Sequence, residues 1–347
     1  MPATPSQEPG HSFDAHSFDG TTEATGRTFG ARATVRDLLV DAQRRLDAAG
    51  VPSPQSDAAW LMAWVLDVPR NRLFLHDEPD DRARMSFEKA LARRLSRVPL
   101  QHIVGRAPFR RIDIAVGPGV FIPRPETEVV TEVGVRHLRD LGGGVAVDLC
   151  AGSGAIGISL AVEVPGVNVH AVEMDDAALE WLSRNIDQHR STIAQGGSSI
   201  DVVHADATTV ADTGGALASL VGRVDAVVAN PPYIPDGMIP REVEVRDHDP
   251  PVALFAGPDG LSVIRGIVRT AALLLRPGGV LVIEHADVQG PGAAGGGVVG
   301  VLRDLSLDET LSSLLPGRPG ASLFEGIGDR LDLTGAPRFT VATRSAP

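Results

Sequence analysis

Val145-Ala146-Val147-Asp148-Leu149-Cys150-Ala151-Gly152-Ser153-Gly154-Ala155-Ile156-Gly157 joins an apolar run to a glycine-rich turn and then to a second apolar run. The first part reads as a buried strand and the last as the start of a helix. Glycines between the two let the backbone turn sharply and let a ligand approach it. The same alternation continues downstream. Strands are expected near 145–149, 167–172, 200–204, 224–229 and 279–284, and helices near 155–163, 176–190 and 259–275. That order predicts a doubly wound α/β sheet, whose ligands bind at the carboxyl ends of the parallel strands.

Each strand end carries a candidate. Asp148 lies four residues before the first glycine and is expected to accept from the amino group of an amino-acid-bearing ligand. A carboxylate there repels a pyrophosphate, which tilts the turn toward S-adenosylmethionine and away from NAD; a turn needed only for packing stays open. Cys150, Ala151, Gly152, Ser153 and Gly154 would form the cradle. Glu173, 25 residues after Asp148, is placed to bind two ribose hydroxyls, a feature both ligands share. Asp206 is expected to accept from an adenine amino group, with Ala207 on the adenine face. Cys150 reads as a small buried residue. His170, His204, His248 and His285 lack ligand spacing and read as structural.

The fourth strand ends in Asn230-Pro231-Pro232-Tyr233. Two prolines stop the strand and stiffen the loop. The Asn230 side-chain oxygen and a proline carbonyl can each accept one N–H of a planar NH2 group, and Tyr233 can pack on its plane. Holding both N–H bonds orients a poorly nucleophilic nitrogen and stabilises the positive charge that develops on it.

Residues 1–32 are polar, contain the tandem His11-Ser12-Phe13-Asp14 and His16-Ser17-Phe18-Asp19, and read as a disordered tail. Residues 33–98 predict a small helical bundle, with Thr34 as a cap and Arg93, Arg94 and Arg97 on a solvated helix side. Residues 99–122 read as a β-hairpin linker, and 123–347 as the α/β domain. Prolines at 123 and 125 exclude helix before Glu126. The segment 289–298 reads as a glycine-rich loop, and a final hairpin is expected near 321–325 and 338–343.

A net charge of −12 argues against a duplex nucleic-acid partner, which favours a basic face. Cys150 is the single cysteine, so neither an internal disulfide nor a cysteine zinc site is expected, nor any other metal. No apolar run approaches the roughly 18 residues of a membrane span, and no leader pattern opens the chain. A cytoplasmic monomer without membrane contact is expected.

Phe121-Ile122-Pro123-Arg124-Pro125-Glu126-Thr127-Glu128, the Asp148–Gly157 turn, Asn230–Pro235 and Val282-Ile283-Glu284-His285 together resemble the HemK/PrmC family of protein-(glutamine-N5) methyltransferases. Arg246–Pro250 and Ala253-Leu254-Phe255 extend the resemblance. It implies a Rossmann-like class I methyltransferase domain behind a helical substrate-recognition domain and a β-hairpin linker. It also implies transfer of a methyl group from S-adenosylmethionine, leaving S-adenosylhomocysteine, to the glutamine of the Gly-Gly-Gln loop in class 1 peptide chain release factors. Carried onto this chain, the donor would meet the Cys150–Gly154 turn, Glu173, Ala207 and Asn230. The glutamine would be held by Asn230, Pro231, Pro232 and Tyr233, with Arg124 and Glu126 near the pocket. Family members often carry an aromatic residue where Ala207 stands. An adenine-N6 nucleic-acid methyltransferase shares the logic of a planar amino group but lacks a basic recognition region here. A donor-binding partner subunit would not need Asn230 and Tyr233. Haem-pathway oxidation finds no flavin fingerprint.

Overall fold

The computed structural model describes residues 33–306, 311 and 322–346; the expected tail and its paired histidines lie outside them. Thr34 starts the first helix. Its hydroxyl accepts from Asp37 N while the Asp37 carboxylate accepts from Thr34 N, which satisfies two otherwise orphaned donors. Helix α1 (Val35–Ala48) buries Val35, Leu38, Ala42 and Leu46 along one stripe. It packs on α2 (Pro54–Leu66) and α3 (Asp81–Leu95), closing a separate core around Leu61, Met62, Phe87 and Leu91.

One turn of helix, α4 (Leu100–Val104), precedes the hairpin of β1 (Arg106–Phe109) and β2 (Ile112–Ala115). A hairpin alone was expected over this stretch; five residues are too few to show a helical period. Helix α5 (Pro125–Leu141) begins at Pro125, not after it. Proline costs nothing at the first helical position, where the N–H has no partner anyway. Arg110 at the hairpin tip reaches Glu132 of α5 at 2.6 Å and Glu163 at 2.7 Å, pinning the hairpin to the larger domain.

That domain runs β3 (Gly144–Leu149), α6 (Ala155–Glu163), β4 (Val167–Glu173), α7 (Asp176–Gln195), β5 (Ser199–His204) and β6 (Val224–Ala229). It continues with α8 (Val243–His248), α9 (Ser262–Leu274), β7 (Leu275–Glu284), α10 (Gly297–Ser306), β8 (Phe324–Leu331) and β9 (Pro337–Arg344). The seven strands lie in the order β5-β4-β3-β6-β7-β9-β8. Pairings from β5 to β7 are parallel, and β9 is antiparallel to both neighbours. Alternate strand residues feed two cores: Val169, Ala171 and Val228 face α5 and α6, whereas Val147, Val227 and Leu281 face α9. The sheet reverses its winding between β3 and β6, so the carboxyl ends of those strands border the crevice that open α/β sheets use for ligands. The segment 289–298, expected to be loop, gives way to helix α10 at Gly297, after the positive-φ glycines Gly295 and Gly296. No described helix is long and apolar enough to cross a membrane.

Candidate active site

Beyond β3 the chain bends through Cys150 (φ 65°), Gly152 (φ 56°) and Gly154 (φ 88°). A side chain at Gly154 would bring its Cβ within 2.6 Å of Leu182 on α7, so glycine is required there by space as well as by angle. Asn185, fully buried on α7, fixes the turn. Its amide donates to Ser153 O (2.9 Å) and Ala115 O (3.0 Å) and accepts from Ala115 N (2.8 Å), tying the cradle to the end of β2. Sequence reasoning passed over Asn185. Its signal was an amide on the apolar stripe that carries Leu182 and Ile186.

Asp148, expected to meet the donor's amino group, is not among the residues that line the cavity. It is fully buried, and its Oδ2 accepts from Gly157 N at 2.8 Å. Gly154, the residue before α6, has no side chain to cap the helix. The carboxylate therefore satisfies an orphan donor of the first turn from inside the sheet. Burial pushes its pKa up to about 7, against the Gly157 hydrogen bond.

Glu173 ends β4 with both oxygens engaged. Oε2 accepts from Gly152 N (2.8 Å), and Oε1 from Met174 N (2.8 Å) and Asp175 N (2.9 Å). It joins the glycine turn to the next helix and still lines the cavity, where spare lone pairs can take hydroxyl donors. Asp206 closes a local turn on Thr208 N and Oγ (2.8 and 2.7 Å), and Ala207 is buried beside it. Burial first, and then the charge of Glu173, push the Cys150 thiol up, so it stays neutral.

After β6, Ile234 pairs with the backbone at 254–256. Gln289 donates to Tyr233 O (2.9 Å) and Gly260 O (3.2 Å), clamping the Asn-Pro-Pro-Tyr loop from behind. Asn230 Nδ2 donates to Thr127 Oγ at 3.2 Å. Burial raises the Tyr233 phenol, which remains protonated. Arg124 stacks 5.0 Å from the Phe121 ring and pairs with buried Asp249 at 2.7 Å. Burial carries Asp249 up to about 6, with Arg124 pulling the other way. Glu284, at the end of β7, is 1% exposed and lines the same space. Thr127, Glu284 and Gln289 had no site role in the sequence reading. Thr127 and Glu284 stood inside stretches that carried the resemblance, unmarked by any spacing.

One cavity of about 1240 Å³ gathers Cys150 to Ser153, Glu173, Asp206, Ala207 and Asn230 to Tyr233, with Arg124 and Glu126 on its wall. Asp57 and Arg94 of the helical segment and Leu100 of α4 close its other side. Single-ligand pockets run to about 300–1,000 Å³, so the space accommodates more than one reactant. The model of the PrmC N-terminal domain matches residues 37–105, and that of the methyltransferase small domain matches 111–244. A release factor glutamine methyltransferase of Streptomyces coelicolor is 48% identical over 258 residues, 73% of this chain and 85% of that protein.

The chain belongs to the release factor glutamine methyltransferase family.

A member of that family from Mycolicibacterium smegmatis is 42% identical over 90% of this chain and 98% of its own length. A 4-amino-L-phenylalanine/4-methylamino-L-phenylalanine methyltransferase of Streptomyces pristinaespiralis is 43% identical over 58% of this chain and 66% of that protein. Of the three arginines expected on a solvated helix side, Arg93 is exposed, whereas Arg94 and Arg97 are drawn into ion pairs. Arg94 is buried between Asp57 (2.7 Å) and Glu244 (2.8 Å), and Arg97 meets Glu244 at 2.7 Å. Sequence periodicity cannot see that acidic partner, because it lies some 150 residues away.

Proposed function

We propose that this chain transfers a methyl group from S-adenosylmethionine to the side-chain amide nitrogen N5 of the glutamine in the Gly-Gly-Gln loop of class 1 peptide chain release factors. The observation that carries this reading is the convergence of the stiff Asn230-Pro231-Pro232-Tyr233 loop and the positive-φ turn on one cavity. The relatives' names support it. The cavity's chemistry suits the donor: the turn Cys150–Ser153 along its lining, carboxylates at Glu173 and Asp206, and apolar Ala207 match an amino acid, a ribose and an adenine carried on a cation. S-adenosylmethionine, when bound, supplies a methyl group on a sulfonium, electrophilic without a general acid.

The protein's own groups do the rest. Glu173 takes the ribose hydroxyls, and Ala207 with Asp206 meets the adenine. Asn230 Oδ1 and the Pro231 carbonyl each accept one N–H of the glutamine amide, and Tyr233 covers its plane. This polarises the nitrogen and aligns its lone pair before reaction. A C–N bond forms as the C–S bond breaks, and the nitrogen then releases one proton. The helical segment 33–98 meets the protein substrate, and the hairpin within 99–122 links it to the catalytic domain over 123–347. The enzyme works in the cytoplasm as a monomer, without metal or nucleic acid.

A labelled-methyl transfer assay tests this reading with a release factor, its Gly-Gly-Gln→Gly-Gly-Ala variant and duplex DNA. Label on the wild-type factor alone is the expected result; label on DNA, or on neither, overturns it.

A further inference from the structure

Large apolar side chains that stay open on a folded surface mark a contact with another molecule when they gather in one place. Met238, Ile239, Val252 and Val288 gather at the mouth of the cavity; they are 50%, 71%, 43% and 58% exposed, and all of them line it. They stand on three loops, and the backbone ties those loops together. Ile234 N donates to Leu254 O (2.8 Å), Ala256 N to Ile234 O (2.9 Å) and Asp236 N to Gly257 O (2.9 Å). The segment after the Asn-Pro-Pro-Tyr loop is thereby laced to the one that carries Val252. The turn Asp287–Gln289 carries Val288, and Gln289 fastens it to the same unit through Tyr233 O and Gly260 O. Pro235 and Pro240 bracket Met238 and Ile239 and restrict the backbone on either side of them. The four side chains are therefore held open on a fixed frame.

The position of this rim selects its occupant. The parallel strands lie in the order β5-β4-β3-β6-β7. The groups assigned to the donor, Cys150–Ser153, Glu173 and Asp206–Ala207, follow β3, β4 and β5. The rim follows β6 and β7, on the side of Asn230–Tyr233, where the glutamine enters. A small donor seated over β3 to β5 leaves it uncovered. A glutamine delivered on a polypeptide brings its neighbours to the mouth, about 3.3–3.6 Å of chain for each residue. The two glycines before it have no side chains to offer, so the complement to an apolar rim must come from residues beyond them. We propose that Met238, Ile239, Val252 and Val288 form a docking rim for apolar side chains of the release factor that flank its Gly-Gly-Gln loop. The inference rests on the methyl-transfer reading above and adds a contact on the catalytic domain to the one assigned to the helical segment. Removing apolar surface from water on both partners favours the complex, and a rim that is already fixed loses little freedom on binding.

The full chain tests the rim as wild type, Ile239→Ser, Ile239→Leu, Val288→Ser and, for comparison, Leu141→Ser. Leu141 is 48% exposed but ends α5, whose first residue, Pro125, lies on the cavity wall about 25 Å away along the helix axis. Steady-state methyl transfer to a release factor gives KM and kcat, calorimetric titration gives donor affinity, and sedimentation velocity gives the state of assembly. Ile239→Ser and Val288→Ser are each expected to raise KM for the release factor about tenfold. Donor affinity and kcat should hold within about twofold, because the rim grips the substrate equally before and during the transfer. Ile239→Leu should restore a KM near wild type, and Leu141→Ser should leave it unmoved. Unchanged KM in either serine variant overturns the rim. So does a fall in kcat alone, which assigns these residues to the support of the reacting groups, or a wild-type dimer that Ile239→Ser separates, which gives the rim to a second copy. Both side chains lie mostly in solvent, so the fold does not depend on them. A wild-type chain that labels no release factor sinks the substrate reading and the rim with it, whereas a labelled factor with an unmoved KM sinks the rim alone.

Discussion

On the proposed reading Asn230 serves the chemistry and Glu173 the donor, so the two roles can be tested apart. Asn230→Ala deletes one acceptor for the glutamine amide but none of the turn that holds the donor. Methyl transfer is expected to fall about 100-fold or more, with donor affinity nearly unchanged; wild-type turnover by this variant would exclude the proposed role. Glu173→Ala acts differently, because its carboxylate serves three backbone N–H groups as well as the cavity. Losing charge-assisted hydrogen bonds to the ribose is expected to weaken donor binding by roughly 10- to 100-fold. Calorimetric titration with S-adenosylmethionine checks this, and a lower melting temperature should accompany it as the turn loses its anchor.

The turn from β3 into α6 shows how a strand can cap a helix. Asp148 gives α6 the acceptor that Gly154 cannot, at the cost of a buried carboxyl whose pKa is raised from 3.8 to about 7. The folded chain therefore keeps a proton that the unfolded chain releases. The stability linked to that proton is fully present below pH 3.8 and is lost as pH rises through about 7. Asp148→Asn keeps an acceptor for Gly157 and removes the charge. Relative to wild type, the variant should gain stability between pH 5 and 8, on the order of 1–4 kcal/mol. Urea unfolding at the two pH values measures it, and a pH-independent difference would contradict the assignment. Gly154→Ala tests the other half of the turn. The clash with Leu182 and the positive φ should together cost about 2 kcal/mol or more, seen as an earlier unfolding midpoint.

For the molecule as a whole, the junction of the helical segment and the α/β domain matters most. Glu244, just beyond the Asn-Pro-Pro-Tyr loop, receives Arg94 and Arg97 from the far side of the cavity. Its burial would raise its pKa, but those hydrogen bonds hold it down to about 2, so the carboxylate persists through the neutral range. Removing it in Glu244→Ala leaves two arginines without their shared partner. The cost should be about 2 kcal/mol, less than the 3–5 of a fully buried pair because water reaches part of it. Hydrogen exchange in α1 to α3 should quicken, and KM for the protein substrate should rise while donor affinity stays put. Unchanged exchange would show that the junction does not depend on this pair.

Much of this architecture was written in local pattern. Apolar runs placed the strands that end at Leu149, Glu173 and Ala229, and the position of Asn230–Tyr233 at such an end marked the candidate site. These features depend on neighbours in the chain: backbone angles, hydrophobic period and capping. Tertiary structure alone settled which polar groups meet. It put Asp148 against Gly157, placed Arg94 between Asp57 and Glu244, and joined Thr127 to Asn230. Those partners lie tens to hundreds of residues apart, or face one way only once the helix has packed. A buried charge or amide is committed by the geometry of the groups that satisfy it, and that geometry exists only in the folded chain.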